Sequence, residues 1–566
     1  MRTKDIIITL LSPLLFASCN YLDFDETSGS KTKEYMYKYF DSTESMLTNV
    51  YSYMPQGYPF GSDNAAAMRD CASDDGEFGE ISTDIQITNN GNWSPIKTYD
   101  SSWGLYYGIR AANNFLVEIA SVDFSRFEQD PKYKDWMKKL KFFPYEARVL
   151  RAYYFFELAR RYGDIPMPLK ALTNEEANTV GKTPFQEVIQ FIVNECNEAI
   201  HVLPETFANQ PGQQIGRTTK GFAMAVKSKA LLYAASKLHN PSMNTDLWKQ
   251  SAKAALDIIV SGLYELSPAE SANNLTSKEV VLMRMNGDND NFELFNFPIS
   301  YTKEERPGGA VAMSNYPSQN LVDAFETING YKVTLGNNGW ECDDPQFNPQ
   351  KPYENRDPRF ARTILANGSK FKGESIETFE GGKDQKIVTQ GGSPTGYFLR
   401  RYIQEDTDFT PNKRVKKKHH WVIYRYAETL LTYAESMANA FGPTYVDKEY
   451  TYSAQWALNK VRKNAGMPEI TTTNKEEFLK RLYNEWRVEF AFEDHRFWDV
   501  RRWKIADETQ RELYGVKIQK QTNGTLNFYK NLYETRKWRD CMYLYPIPQN
   551  ELYKNTNLNP QNPGWN

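Results

Sequence analysis

Cysteine and histidine are scarce in this chain, five of each in 566 residues, and that scarcity excludes several kinds of protein. Cys19, Cys71, Cys196, Cys342 and Cys541 are too few and too scattered to brace a disulfide framework, although an exported protein could form one bridge. No CxxC or HExxH occurs, which argues against a structural zinc site and a zinc protease. Of the histidines only His419 and His420 are close, and adjacent side chains on a helix or strand point apart. The nucleophile elbow, P-loop and dinucleotide fingerprints are missing, as is a twelve-residue calcium loop. No cofactor or metal is expected. A net charge of -3 removes the general electrostatic case for nucleic acid, and the basic run from Arg414 to His420 is isolated enough to read as a solvated loop.

Long apolar runs are lacking too, with one exception at the start. Arg2 and Lys4 precede an apolar stretch from Ile6 to Phe16, which is too short to span a bilayer and has the layout of a secretory signal peptide. Ala17, Ser18 and Cys19 follow, so that a cysteine stands directly after two small residues. This resembles a bacterial lipobox, in which Cys19 becomes the first mature residue and carries acyl chains; several chains on one residue give stable anchoring where one holds only marginally. Residues 1–18 are then a lipoprotein signal peptide and 19–35 a lipidated tether, acidic at Asp23, Asp25 and Glu26. Residues 36–566 form a single body, with an N-terminal helical part (36–280) interleaved with a C-terminal loop-rich and helical part (281–566).

Aromatic residues are abundant, 36 Tyr, 32 Phe and 12 Trp, in a chain whose mean hydropathy is only -0.66. Core and surface must share these rings, and Tyr and Trp suit wet binding surfaces because each pairs an apolar face with a polar handle. Helical periodicity dominates the well-marked segments: 41–54, 101–121, 144–162, 184–201, 218–239, 246–261, 424–441, 453–465 and 475–503. Gly163 and Gly262 sit where helices need a left-handed stop. Pro184 and Thr218 open two helices 34 residues apart, the spacing of a tetratricopeptide-type helix pair, and Ala223, Ala225, Ala230, Ala234 and Ala235 allow close helix approach. The fold class is mainly α, an α/α superhelix of helix pairs with little β. Segments 71–99, 286–309 and 330–413 are instead rich in Gly, Pro, Asn and Asp, and loops of this length in a compact body are usually functional.

A glycosidase needs two carboxylates across a cleft. The densest acidic segment, from Glu485 to Trp503, places Glu485, Glu489 and Glu493 four residues apart on one helical face, where Arg496 and other basic residues can pair with them. This reads as a structural ion-pair network, and the chain as no enzyme.

The stretch from Ala147 to Leu158 followed by Arg161, Tyr162, Gly163, Asp164 and Pro166 resembles the signature helix and turn of the SusD/RagB family of glycan-uptake lipoproteins. Further matches come in the family's order: Gly216 to Gly221, Arg356 to Phe360, Arg425 to Leu431, Leu458 to Arg462, Glu485 to Trp503, and the closing Pro546 to Pro548 with Gln561 to Trp565. Any one is weak, but seven in order are specific. The resemblance implies a scaffold of four tetratricopeptide-like helix pairs and a loop-rich face that holds the ligand. It further implies a glycan-binding protein at the outer membrane, facing the cell exterior, that sits as a hinged lid over a TonB-dependent transporter of the SusC type.

Ligand contacts are expected in the loops, where a ring covers the apolar face of a sugar and polar groups take its hydroxyls. Asp74 and Asp75 with Asn92 and an exposed-looking Trp93 form the first such set. Trp340, on a Gly-rich loop, Tyr397 after Gly396, and Tyr301 and Arg306 around a Gly-Pro loop complete it. Trp103 reads as a packing residue and is left out. A peptide-binding relative and a surface glycoside hydrolase are the alternatives, and starch, fructan, mucin and plant-wall glycans all remain open as ligands.

Overall fold

The computed structural model describes residues 33–55, 57, 67–79, 84–98, 100–268, 274, 276–301, 314–385, 392–410 and 412–565. Cys19, most of the tether and Arg306 therefore lie outside the described residues.

The body is a serial stack of antiparallel helices: α1 (Phe40–Ser52), α2 (Leu105–Ile119), α3 (Phe143–Tyr162), α4 (Phe185–Ile200), α5 (Lys220–Ala235), α6 (Thr245–Ser261), α7 (Tyr426–Ala440), α8 (Ala454–Asn464) and α9 (Lys475–Glu489). Each packs on its predecessor through α8, and α9 returns onto α7 and α8. α4 and α5 begin within two residues of the positions that the 34-residue spacing marks. The alanines of α5 are buried and bring it close to α4 and α6.

α3 is buried almost throughout, on every side, which is the pattern of a helix enclosed by others, although it carries Glu146, Arg148, Arg151, Glu157, Arg160 and Arg161. Its charges are paired where they are buried: Arg151 with Glu195 at 2.6 Å, and Arg160 and Arg161 with Glu157 at 2.6 and 2.8 Å. It ends at Gly163, whose φ of 72° reverses the chain without a Cβ clash.

The periodic segment 475–503 is not one helix. It stops at Glu489 and restarts as α10 (Arg496–Arg502), with Phe492 and Asp494 in left-handed conformations at φ 60° and 63°. Glu493 is thereby taken off the helical face that holds Glu485 and Glu489. The gain that holds the break open is electrostatic, since Glu493 meets Arg425 at 2.9 Å and Asp494 meets Arg69 at 2.5 Å. Arg496 pairs with Asp74 rather than with the glutamates, whose partners are Arg359, Arg425 and Arg462 at 2.6 to 2.9 Å.

Strands are few, and every sheet among the described residues is a two-stranded antiparallel pair. β1 (Gly76–Phe78) pairs with β3 (Asn315–Pro317), and β2 (Val280–Arg284) pairs with β6 (Trp421–Arg425), which runs straight into α7. β4 (Val333–Gly336) and β5 (Gly339–Cys342) form a small hairpin. The longest pair, β7 (Glu512–Lys520) with β8 (Leu526–Thr535), turns through Gly524 at φ 87°. The run from Arg414 to His420 is only partly solvated: His419 is buried and meets Glu293 at 2.8 Å, and Arg414 pairs with Asp290.

Candidate ligand-binding cleft

Where α1, α3, α5, β6 and the break between α9 and α10 converge, they leave an open cleft of about 560 Å3. Its apolar wall is made by Tyr53, Tyr107, Tyr153, Phe156, Trp421 and Phe490. Its polar floor carries Asp100, Glu157, Arg160, Arg161, Lys229, Glu428, Glu493, Asp494 and His495. Tyr107 stands 70% exposed at the rim.

The floor is a closed charge network. Arg161 bridges Asp100 at 2.9 Å and Glu157 at 2.8 Å, and Lys229 meets Glu428 at 2.9 Å with His495 on the other side at 3.5 Å. Against burial, which pushes a carboxyl up, the neighbouring cations win at three of these acids. Arg160 and Arg161 hold Glu157 below its usual range, Arg161 and Arg69 do the same for Asp100, and Lys229 with His495 brings Glu428 to about 2. Glu428 therefore stabilises the fold fully above its ordinary value near 4.5, and that contribution is lost as pH falls toward 2. Urea midpoints measured from pH 5 downward should fall less steeply for Glu428→Gln than for the wild type; equal slopes would contradict the pairing.

The residues that the sequence marks for ligand lie elsewhere. Asp74 and Asp75 are buried, with Asp74 clamped by Arg496 at 2.8 and 2.9 Å and by Arg487 at 3.0 Å, and Asp75 accepting from Arg487 at 2.6 Å. Arg487 and Arg496 hold Asp74 down to about 2 despite burial. Both carboxylates are thus engaged by arginine and not presented to a hydroxyl. Asn92 is exposed, but Trp93 is 1% exposed, set edge-on to Tyr545 at 4.6 Å and Trp565 at 5.1 Å. The C-terminal strap, from Tyr545 to Trp565, covers the ring, contrary to the exposed placement that its Asn-rich surroundings suggest. Tyr397 is fully buried and donates to Gln319 Oε1 at 2.6 Å. It shares one cluster with Trp340 through Tyr353, whose ring lies 6.1 Å from Tyr397 and 5.7 Å from Trp340. Tyr301 is half-buried and donates to the Phe371 carbonyl at 2.6 Å.

The structure brings Asp74 together with Asp75, and Trp340 with Tyr397, but it places none of the described ones in the cleft. Conversely, Trp103 packs on Tyr106 and Tyr162 with part of its ring while the rest lines two surface hollows beside the cleft. The readable signal was the Trp103-Gly104-Leu105-Tyr106-Tyr107 run, where Gly104 and Leu105 separate two rings from a third. Among the described residues no His, Cys, Asp and Glu group is arranged to hold a metal, and no helix is long and apolar enough to cross a membrane.

A model of the SusD family matches residues 278–565, and a second, described as starch-binding associating with outer membrane, matches residues 20–232. This chain belongs to the SusD/RagB family. Its curated relatives include SusD-like protein P2 of Formosa agariphila, which is 24% identical over 74% of this chain and 73% of its own length. The SusD fold of a SusD-like protein from Bacteroides fragilis superposes with a TM-score of 0.74 at 25% identity, over 94% of this chain and 98% of that one. A second B. fragilis structure, described as a SusD-like carbohydrate binding protein, gives 0.71 at 24% identity, over 92% and 99%. The tetratricopeptide-like helical scaffold is thus the SusD fold.

Proposed function

We propose that this protein is a non-catalytic glycan-binding lipoprotein of the outer membrane, anchored outside the cell through Cys19, that holds an oligosaccharide in the central cleft and passes it to a TonB-dependent transporter of the SusC type. The observation that carries this reading is the cleft itself, in which aromatic rings face a floor of fixed ionic donors and acceptors. The floor groups that keep some exposure, Lys229, Asp494 and His495, can exchange hydrogen bonds with hydroxyls, and the rings cover the C–H faces of a sugar. The family description as starch-binding and outer-membrane-associated, and the relative described as carbohydrate binding, support it.

Binding without cleavage fits the electrostatics. A glycosidase acid must stay protonated near neutral pH through a raised pKa. Three of the five carboxylates on the cleft floor, Glu157, Asp100 and Glu428, are shifted the other way by their cations.

The test uses full-length protein in detergent on native gels cast with amylopectin, laminarin, arabinan or mucin. Wild type should be retarded by at least one of them and release no reducing sugar. Tyr107→Ala, at an exposed position, should weaken retention by about tenfold, the scale of one lost stacking contact. Unchanged retention would take the cleft out of the site, and sugar release would make the protein an enzyme. Cells fed labelled palmitate should label the wild type but not Cys19→Ala; label in both would refute the anchor.

A further inference from the structure

Some of the most exposed large apolar side chains gather on one face. Ile96 is 87% exposed, Tyr553 78% and Tyr107 70%. Ile96, Trp103 and Tyr553 line a hollow of about 490 Å3, together with Gln549, Asn550 and Glu551. Trp103, Gly104 and Tyr107 line a neighbouring hollow of about 350 Å3, and Gly104 and Tyr107 are also part of the wall of the central cleft. The three concavities therefore share residues end to end: Tyr553 and Trp103, then Trp103 and Tyr107, then Tyr107 and the cleft.

Two features make this a built surface. Trp103 is fixed from behind by Tyr162, edge-on at 5.1 Å, and by Tyr106 at 5.0 Å. The helix that carries Tyr553, α11 (Gln549–Lys554), is pinned at its start by the Gln549 amide donating to the Pro95 carbonyl at 2.9 Å. Just beyond it, Asn555 donates to the Val180 carbonyl at 2.8 Å. Trp103, its ring held in this way, and Tyr553, carried on a fixed backbone, lose little freedom when a ligand arrives. Between them Gly104 leaves the floor flat, since a Cβ there would meet nothing within 4 Å.

The lining chemistry selects the ligand. Among the described residues the lining of the hollow around Tyr553 holds no lysine or arginine and one carboxylate, Glu551, which is engaged by Lys554 at 2.9 Å. The bases on the path lie in the middle hollow, which Arg110, Lys170 and Lys554 help to line, and two of them are paired, Lys170 with Glu176 at 2.7 Å and Lys554 with Glu551 at 2.9 Å, which leaves little cationic charge for a phosphate backbone or a lipid headgroup. Rings bordered by side-chain amides and hydroxyls suit a neutral polyol.

We propose that Trp103 and Tyr553 form an outer subsite for the same glycan chain, so that the protein recognises a neutral polysaccharide long enough to run from the central cleft over Tyr107 and Trp103 to Tyr553. This rests on the reading of the cleft as a glycan site and adds the length and neutrality of the ligand. It also accounts for Ile96 and Tyr553 standing in solvent, where single exposed rings need no explanation but a connected trail does.

The test takes the neutral polysaccharide that retards the full-length wild type, among amylopectin, laminarin and arabinan, together with a short oligosaccharide of the same linkage that fills only the cleft. Calorimetric titration of wild type should show the long chain bound more tightly per site than the short one. Tyr553→Ala, at a solvent-exposed position outside the cleft, should lose about fivefold of affinity for the long chain and none for the short one. Trp103→Ala should do the same, with its circular dichroism checked against wild type. Equal affinity of wild type for both lengths, or unchanged long-chain affinity in Tyr553→Ala, overturns the outer subsite while leaving the cleft intact. Failure of the wild type to bind either length takes down the cleft reading, and the extension with it.

Discussion

Replacing Arg425 by leucine is expected to cost roughly 3–5 kcal/mol of folding stability, the scale seen when one partner of a buried ion network is removed. Arg425 reaches Glu279 at 2.7 Å, Glu489 at 2.7 Å and Glu493 at 2.9 Å, and its guanidinium lies 4.2 Å from the centre of the Phe490 ring. The three acids do not suffer equally. Glu489 keeps Arg359 at 2.7 Å and Glu493 keeps Arg401, whereas among the described residues the side chain of Glu279 is left with the Ser267 amide at 3.0 Å. Burial already pushes Glu279 above its ordinary value with Arg425 in place. Adding Glu279→Gln to Arg425→Leu should therefore recover part of the loss, because the orphaned charge is removed. Urea denaturation of the four proteins in this cycle measures it. A single-variant loss below about 1 kcal/mol would show that the network contributes no more than an exposed pair.

Trp93→Ala is expected to destabilise by a similar amount, about 3–5 kcal/mol for deletion of a large buried ring. Its neighbours Tyr545 and Trp565 belong to the C-terminal strap, and Arg539 donates to the Trp93 carbonyl at 2.6 Å. The ring therefore fastens the end of the chain to the loop after the short helix Asp84–Asn89. Below its melting temperature the variant should bind glycan as the wild type does. A variant of wild-type stability with lost binding would return Trp93 to a ligand-contacting role and contradict its burial.

The helical scaffold was legible because apolar periodicity and stop glycines act locally: α3 and α6 end where Gly163 and Gly262 suggest, and α5 stops at Ala235, short of the end of the periodic segment 218–239. Two features were not read. The break at Phe490–His495 preserves helical spacing in the sequence, and only partners far along the chain, Arg69 and Arg425, show why Glu493 and Asp494 leave the helix. The β7–β8 hairpin had a local signal in Asn523-Gly524 between alternating runs, and it went unused. The site was harder to read. Asp74, Asp75, Trp93 and Tyr397 have the composition of a binding loop, yet their loops fold inward, and an aromatic ring in a Gly-rich or Asn-rich segment carries no mark of which way it points. The cleft takes its residues from several elements spread from Ser52 to His495, so no single window of sequence contains it.

The central claim is that this chain captures intact glycan in a cleft built on the SusD scaffold. A glycan array probed with the full-length protein, followed by mass analysis of the bound sugar after elution, tests it most directly. The account predicts that a neutral saccharide is retained and eluted at its original mass, and that Tyr107→Ala loses the signal. Retention of peptides alone, or elution of shortened sugar, would contradict it.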